Sequence, residues 1–188
     1  YAYGNQFFGD ADITAAMDTW YAGGTEVVFA CGGGIYTSAV DAAKKVEGAK
    51  VIGVDVDQAA VIAAYAAGEG ADAATVEGYK ALTVTSAMKG LYPATFDTLT
   101  DVIVNGNWEK YSGKIDTLGL VSADDPAANY VQIPMESTQW ADGKFTQDDY
   151  KALVKAMFDG TLTVSNDITK AAKDFATVIT VDDQGNIK

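Results

Sequence analysis

The segment from Val27 to Gln58 constrains this chain more than any other. An apolar run, Val27-Val28-Phe29-Ala30, enters Cys31-Gly32-Gly33-Gly34; an alanine-rich stretch follows, and a second apolar run, Val51-Ile52-Gly53-Val54, ends on Asp55-Val56-Asp57-Gln58. Strand, glycine turn, helix and acid-terminated strand describe a parallel βαβ unit. Its carboxyl edge is where open α/β sheets hold small molecules. Glycines there let a ligand approach the main chain, and Asp55 offers two acceptors to ligand hydroxyls.

Composition narrows the classes of function. At 188 residues and 48% hydrophobic content, the chain can bury a core as one domain or as two small lobes without disulfide staples. Thirteen basic residues stand against 26 acidic ones, and the net charge of −13 repels nucleic-acid backbones and anionic lipid surfaces. The absence of histidine removes the usual zinc sites and Ser-His-Asp or Cys-His machinery, leaving carboxylate catalysis and calcium binding open. The single Cys31 cannot form an internal disulfide; placed after an apolar strand, it reads as buried and inert rather than nucleophilic. No apolar run approaches the roughly 20 residues of a membrane span. The sequence opens at Tyr1 with neither Met nor a charged-then-apolar leader, so a processed chain or a fragment is expected.

The rest of the pattern extends the βαβ unit. Tyr1 to Tyr3 reads as a short strand and Gly4-Asn5-Gln6 as a loop carrying Phe7-Phe8. Ile13, Ala16, Met17, Trp20 and Tyr21 then mark one face of a helix capped by Asp10 and ended by Gly23-Gly24. Helices are expected over Ser38 to Val46 and Gln58 to Ala67, and strands over Val27 to Ala30, Lys50 to Val54 and Leu82 to Ala87. Beyond Lys89, a helix starting near Pro93 is expected to bury Phe96, Leu99 and Ile103 and to stop at Gly106. Strands follow at Thr117 to Val121 and Tyr130 to Pro134, then a helix opened by Thr146 with Asp149 in a capping-box position. Thr161 to Val164 reads as a strand, a last helix capped by Asn166 or Asp167 runs to Phe175, and Val178 to Lys188 reads as a hairpin turning at Asp183-Gln184-Gly185. The predicted class is α/β, a mainly parallel sheet flanked by helices, with a lobe boundary near 88 to 92.

Three chemistries are open to these residues. Gly32-Gly33-Gly34 followed by Asp55 outlines a Rossmann-like nucleotide site for an enzyme, although Thr37 stands at the third glycine position and Ile35 and Tyr36 crowd the place of a pyrophosphate. Asp55 and Asp57, two apart, share a face of an extended strand as an acid/base pair or cation site would; equally, Asp57 can cap the helix near Gln58 and leave Asp55 alone. Asp182-Asp183-Gln184-Gly185-Asn186 hints at a calcium loop but lacks EF-hand spacing, and a solvated turn fits it as well. The third chemistry is a crevice made by Phe7 or Phe8, Gly33, Asp55 and Lys89, all at strand ends or in the loops after them. An aromatic face stacks a flat ring there while acid and ammonium grip hydroxyls.

Four stretches, YGNQFFGD, YAGGTEVVFACGGGIYTSAVDAAKK, KVIGVDVDQ and LTVTSAMKGL, resemble the basic membrane protein (Bmp) family of substrate-binding lipoproteins, which includes the purine nucleoside receptors of ABC transporters. The likeness covers residues 1 to about 105, with WEKYSGKIDTLGLVSADD and FTQDDYKALVKAMFDGTLTV a looser fit to the family's closing segment. It implies a type I periplasmic-binding fold closing over a nucleoside between two lobes, with no cofactor and no covalent chemistry. By position, Phe8 or Phe7 stacks on the base, while Gly33, Asp55 and Lys89 hold the ribose. Residues 1–89 correspond to an N-terminally shortened second lobe, and 90–188 to a hinge crossing and a segment returning to the other lobe. The expected partners are a purine nucleoside or similar small polar ligand, an ABC permease, and either the family's preceding segment or a second copy covering an exposed sheet edge. The family's location is extracytoplasmic, anchored by a lipidated N-terminal Cys that this sequence lacks.

Overall fold

A computed structural model describes residues 1–187. The chain forms an α/β structure around an open four-stranded sheet. Its elements are α1 (Ala11–Ala22), β1 (Val27–Phe29), α2 (Tyr36–Ala43), β2 (Lys50–Asp55), α3 (Ala59–Ala67), α4 (Ala73–Tyr79), β3 (Thr83–Lys89), α5 (Leu91–Leu99), α6 (Trp108–Tyr111), β4 (Val131–Gln132) and α7 (Gln147–Phe158). The strand order is β1-β2-β3-β4. β1, β2 and β3 are parallel, whereas β4 runs antiparallel to β3, so the sheet is mixed. The expectation of a parallel sheet is corrected at that one edge, where a two-residue strand returns along Met88 and Lys89.

Local signals explain the first half. Asp10 accepts from the amides of Asp12 and Ile13, satisfying two donors that the first turn of α1 leaves unpaired. One face of α1 buries Ile13, Met17 and Tyr21. The cluster continues through Ala39, Val40 and Ala43 of α2, Val28 of β1, Val51 of β2 and Ile62 of α3. Small residues on α2 let that helix lie close to α1 and to the sheet. Gly68, at φ +94°, ends α3 in a conformation that an L side chain resists. Cys31 is exposed rather than buried, because the strand ends at Phe29 and the thiol falls in the turn beyond it.

The two sheet edges differ. β3 is covered by β4 and by residues 137–139: Gln139 N donates to Val84 O at 2.8 Å, and the Thr138 and Thr85 hydroxyls lie 2.8 Å apart. β1 is the other edge, and Val27 and Phe29 stand 41% and 47% exposed on the face opposite the helices.

After Lys89 several expectations change. α5 continues as a wider π turn over Thr100–Val104 and stops at Gly106, but Phe96, Leu99 and Ile103 are exposed, not buried. No strand forms at 117–121 or 161–164, and the segment through Phe175 holds only a short 3-10 turn at Ala172–Asp174. The segment from Val178 does not form a hairpin. Its end runs parallel to the amino terminus through a Tyr3–Asn186 bridge, and Tyr1 to Tyr3 takes that bridge in place of a full strand. Lys188, the last residue of the expected hairpin, lies outside the described residues.

Candidate functional site

The carboxyl edge of the parallel strands gathers the glycine turn, the acid and the lysine. Asp55 closes β2 at φ +71°, and Val56 N donates to Val54 O at 2.9 Å, so a three-residue turn folds around Asp55. A non-glycine residue in that region costs of order 1 kcal/mol or more, and surrounding contacts must hold it there. One holder is Lys89, whose Nζ lies 2.6 Å from Asp55 Oδ1. That oxygen is buried and has no hydrogen bond of good geometry, so the contact is an ion pair. The neighbouring carboxylate raises the Lys89 ammonium above the usual lysine range, with a smaller contribution from Cys31.

Gln58 is the second holder. Its Oε1 accepts from Val54 N at 2.9 Å, its Nε2 donates to Gly33 O at 3.2 Å, and its own amide donates to Ser86 Oγ at 3.1 Å. One buried side chain thus joins the ends of β1 and β2, and its backbone reaches β3. Asp57 is used elsewhere, accepting from Ala59 N at 3.1 Å at the start of α3 and from Ser137 Oγ at 2.7 Å. Helix capping is therefore the role its geometry fits, and Asp55 is left facing Lys89.

The glycine turn sits against the Phe7-Phe8 loop. Gly34 N donates to Phe7 O at 2.7 Å, Gly9 N donates to Gly34 O at 3.2 Å, and Phe8 and Gly34 form a parallel bridge. A Cβ on Gly33 would stand 3.6 Å from Phe7 O and 4.0 Å from Asp55 Oδ2, ordinary contact distances. The protein itself does not require glycine there; what the missing side chain provides is open space beside Asp55. Phe7 and Phe8, whose backbone lies along the glycine turn, are 78% and 64% exposed.

All five residues singled out from sequence, Phe7, Phe8, Gly33, Asp55 and Lys89, thus lie at one edge. Gln58, Ser86 and Ser137 were missed as site residues. The GVDVDQ run contained the signal for Gln58, since a long amide opening an apolar helix is well placed to bond the preceding strand end. Asp183 accepts from Gly185 N at 2.9 Å and from Tyr1 Oη at 2.8 Å, the bonding of a surface turn. Among the described residues no group of three His, Cys, Asp or Glu side chains is arranged to hold a metal ion. No protein-family model matches the chain, and no curated protein matches it.

Proposed function

We propose that this chain is the ligand-binding part of an extracytoplasmic solute receptor of the Bmp type, with the type I periplasmic-binding architecture, which captures a purine nucleoside or similar small polar ligand for an ABC permease. The observation that carries the reading is the joint placement of a charged pair, a side-chain-free turn and two exposed rings on one sheet edge. A ribose offers vicinal hydroxyls, each both donor and acceptor. Asp55 accepts from them, Lys89 donates to them, and the space at Gly33 admits the sugar. Phe7 or Phe8 supplies a flat apolar face for the base. Binding then works by differential affinity between conformations, with no bond made or broken.

The turn's own hydrogen bonding favours a nucleoside over a dinucleotide. Gly34 N is taken by Phe7 O, and Ile35 N donates to Gly32 O at 2.7 Å, so two amides that a pyrophosphate needs are already committed. In this reading the membrane is reached through a lipidated N-terminus, and no helix among the described residues is long and apolar enough to cross it.

The test is calorimetric titration of inosine, guanosine and adenosine into the chain, beside Asp55→Ala and Lys89→Met. Saturable heat is expected for at least one nucleoside, weakened roughly 10- to 100-fold in either variant, the range for losing a hydrogen bond to a charged group. Absence of heat with all three nucleosides and with related heterocycles overturns the proposal. Enhanced NADH fluorescence on mixing would point instead to a nucleotide-dependent enzyme.

A further inference from the structure

β1 and β2 part at their carboxyl ends, and one side-chain amide occupies the gap. Lys50 N donates to Glu26 O at 2.9 Å and Ala30 N to Ile52 O at 3.2 Å, so by the two-residue alternation of a parallel ladder the next bond would run from Val54 N to Ala30 O. That bond does not form. Ala30 O accepts instead from Gly32 N at 2.8 Å, as the chain swings into the glycine turn. Val54 N, still facing β1, donates to Gln58 Oε1 at 2.9 Å.

Gln58 reaches this place by folding back over β2, and it is only 7% exposed. A Cβ on Gly53 would stand 2.9 Å from Gln58 Cβ and Oε1 and 2.7 Å from Ser86 Oγ, so the glycine inside the strand is what makes room for the amide. The partners fix which way that amide faces. Val54 N–H can only donate and Gly33 O can only accept, which sets Oε1 against the first and Nε2 against the second. The head group thus stands in for a peptide unit of β1, bonded to β2 on one side and to the glycine turn on the other.

Both bonds end beside the candidate site. Val54 precedes Asp55, and its carbonyl accepts from Val56 N, so Gln58 Oε1 pins the base of the turn that presents the Asp55 carboxylate. Gly33 is the residue whose missing side chain leaves space beside that carboxylate. We infer that Gln58 is a positioning residue of the site: its amide fixes the opening between Gly33 and Asp55, and ligand affinity requires both its acceptor and its donor. The role rests on reading this edge as a nucleoside site.

Gln58→Glu separates the two bonds. The new carboxylate still accepts from Val54 N but sets acceptor against acceptor at Gly33 O; once protonated, it regains a donor. Burial and the facing carbonyl hold its pKa above the ordinary glutamate value of about 4.3, so the defect is present at about pH 8 and relieved toward about pH 5. The charged groups nearby, Asp55, Asp57 and Lys89, are common to parent and variant, so the affinity ratio at each pH isolates position 58. Titration of inosine, guanosine and adenosine into folded chains should find Gln58→Glu about tenfold weaker than the parent at the higher pH and within about threefold at the lower. Gln58→Met should be about tenfold weaker at both. Lowered stability alone leaves the affinity of a fully folded chain unchanged, so a purely structural Gln58 moves the urea midpoint and not these ratios. Gln58→Glu equal to the parent at the higher pH, no recovery at the lower, or Gln58→Met equal to the parent each overturn the role. NMR without ligand separates it from the functional reading. Amide signals of Gly33 and Asp55 in Gln58→Glu should depart from the parent's at the higher pH and rejoin them at the lower. If no nucleoside binds the parent, the nucleoside reading falls; if those signals do not move, the positioning role falls. In the unaltered chain the Gln58 side-chain amide protons should show Overhauser contacts to the Gly33–Gly34 backbone, and their absence overturns the role even where both variants fail to fold.

Discussion

Asp55 carries two demands that act in opposite directions. Its left-handed backbone favours glycine, whereas its carboxylate, paired with Lys89, is the group that can accept from a ligand. Asp55→Gly relieves the backbone and loses only a half-exposed ion pair, a contact of roughly 0–1 kcal/mol. Its stability to urea should stay within about 1 kcal/mol of the parent while nucleoside heat disappears. Asp55→Val keeps the strain, adds a β-branched side chain at positive φ, and should cost about 1–3 kcal/mol. Equal stability of the two variants would remove strain from the account. Gln58 is a structural support of the same edge: Gln58→Ala leaves the buried Val54 N–H without its acceptor, and the expected loss is about 1–3 kcal/mol by urea titration. At this scale Asp55, Gly33 and Lys89 were legible because strand ends in a parallel sheet share one edge. Gln58 was passed over, because its place after the strand end marks only the local bond to Val54 N, while the side-chain bond to Gly33 O joins residues far apart in sequence and leaves no periodic trace.

Elements with their own start and stop signals were the legible ones. α7 is an example: Thr146 Oγ accepts from Asp149 N at 3.3 Å, and Asp149 Oδ2 accepts from Thr146 N at 2.8 Å. Those contacts with Thr146 hold the Asp149 carboxyl below the usual carboxylate range. Thr146→Ala should lower stability by about 1 kcal/mol, read as a shifted urea midpoint, and Asp149→Asn should give a smaller loss that vanishes in acid. An unchanged midpoint for Thr146→Ala would mean that α7 is held by Tyr150 and Val154 alone. α5 shows where pattern reading stops. Its apolar stripe is real, and Tyr92 stacks on Phe96 with centroids 5.7 Å apart, yet the face is exposed. Periodicity says which side of a helix is apolar; it carries no information on whether anything covers that side. The absent strands at 117–121 and 161–164 fail for a related reason. Threonine, leucine and valine fit an extended chain, but a strand needs a ladder of bonds to a neighbour: Gly119 O takes one from Tyr130 N while the amides of Val121 and Ser122 go to the Asn129 side chain, and the amides of Thr161 and Leu162 turn back to Ala156 O at the end of α7.

For the whole molecule, ionisation sets the range of pH over which the fold holds. The chain has no histidine, and its resolved shifts lie at the two ends of the scale. On the acid side, Asp101 is held well below the usual range by Lys110, Asn107 and Tyr111, and backbone or hydroxyl donors lower Asp72, Asp167 and Asp183. A carboxyl with a depressed folded pKa contributes stability above its unfolded value of about 3.8, and that contribution is lost as pH falls through the folded value. On the alkaline side, burial pushes the Tyr21 phenol, bonded to Lys50 O at 2.6 Å, from 10.0 up to about 12. Burial raises Tyr150 as well. The unfolded chain therefore loses these phenolic protons first, so stability is complete below pH 10 and declines between pH 10 and about 12. Urea midpoints measured at ionic strength near 0.15 M, where long-range repulsion is screened, should be level from about pH 5 to 9 and fall on both sides. Tyr21→Phe should shorten the alkaline decline while lowering the plateau by about 1 kcal/mol for the lost hydrogen bond. A Tyr21→Phe chain whose alkaline decline matches the parent's would show that Tyr21 ionises no later in the fold than outside it. The decline would then rest on Tyr150, on the other raised phenols Tyr1, Tyr65 and Tyr130, on the paired lysines and on the growing negative charge.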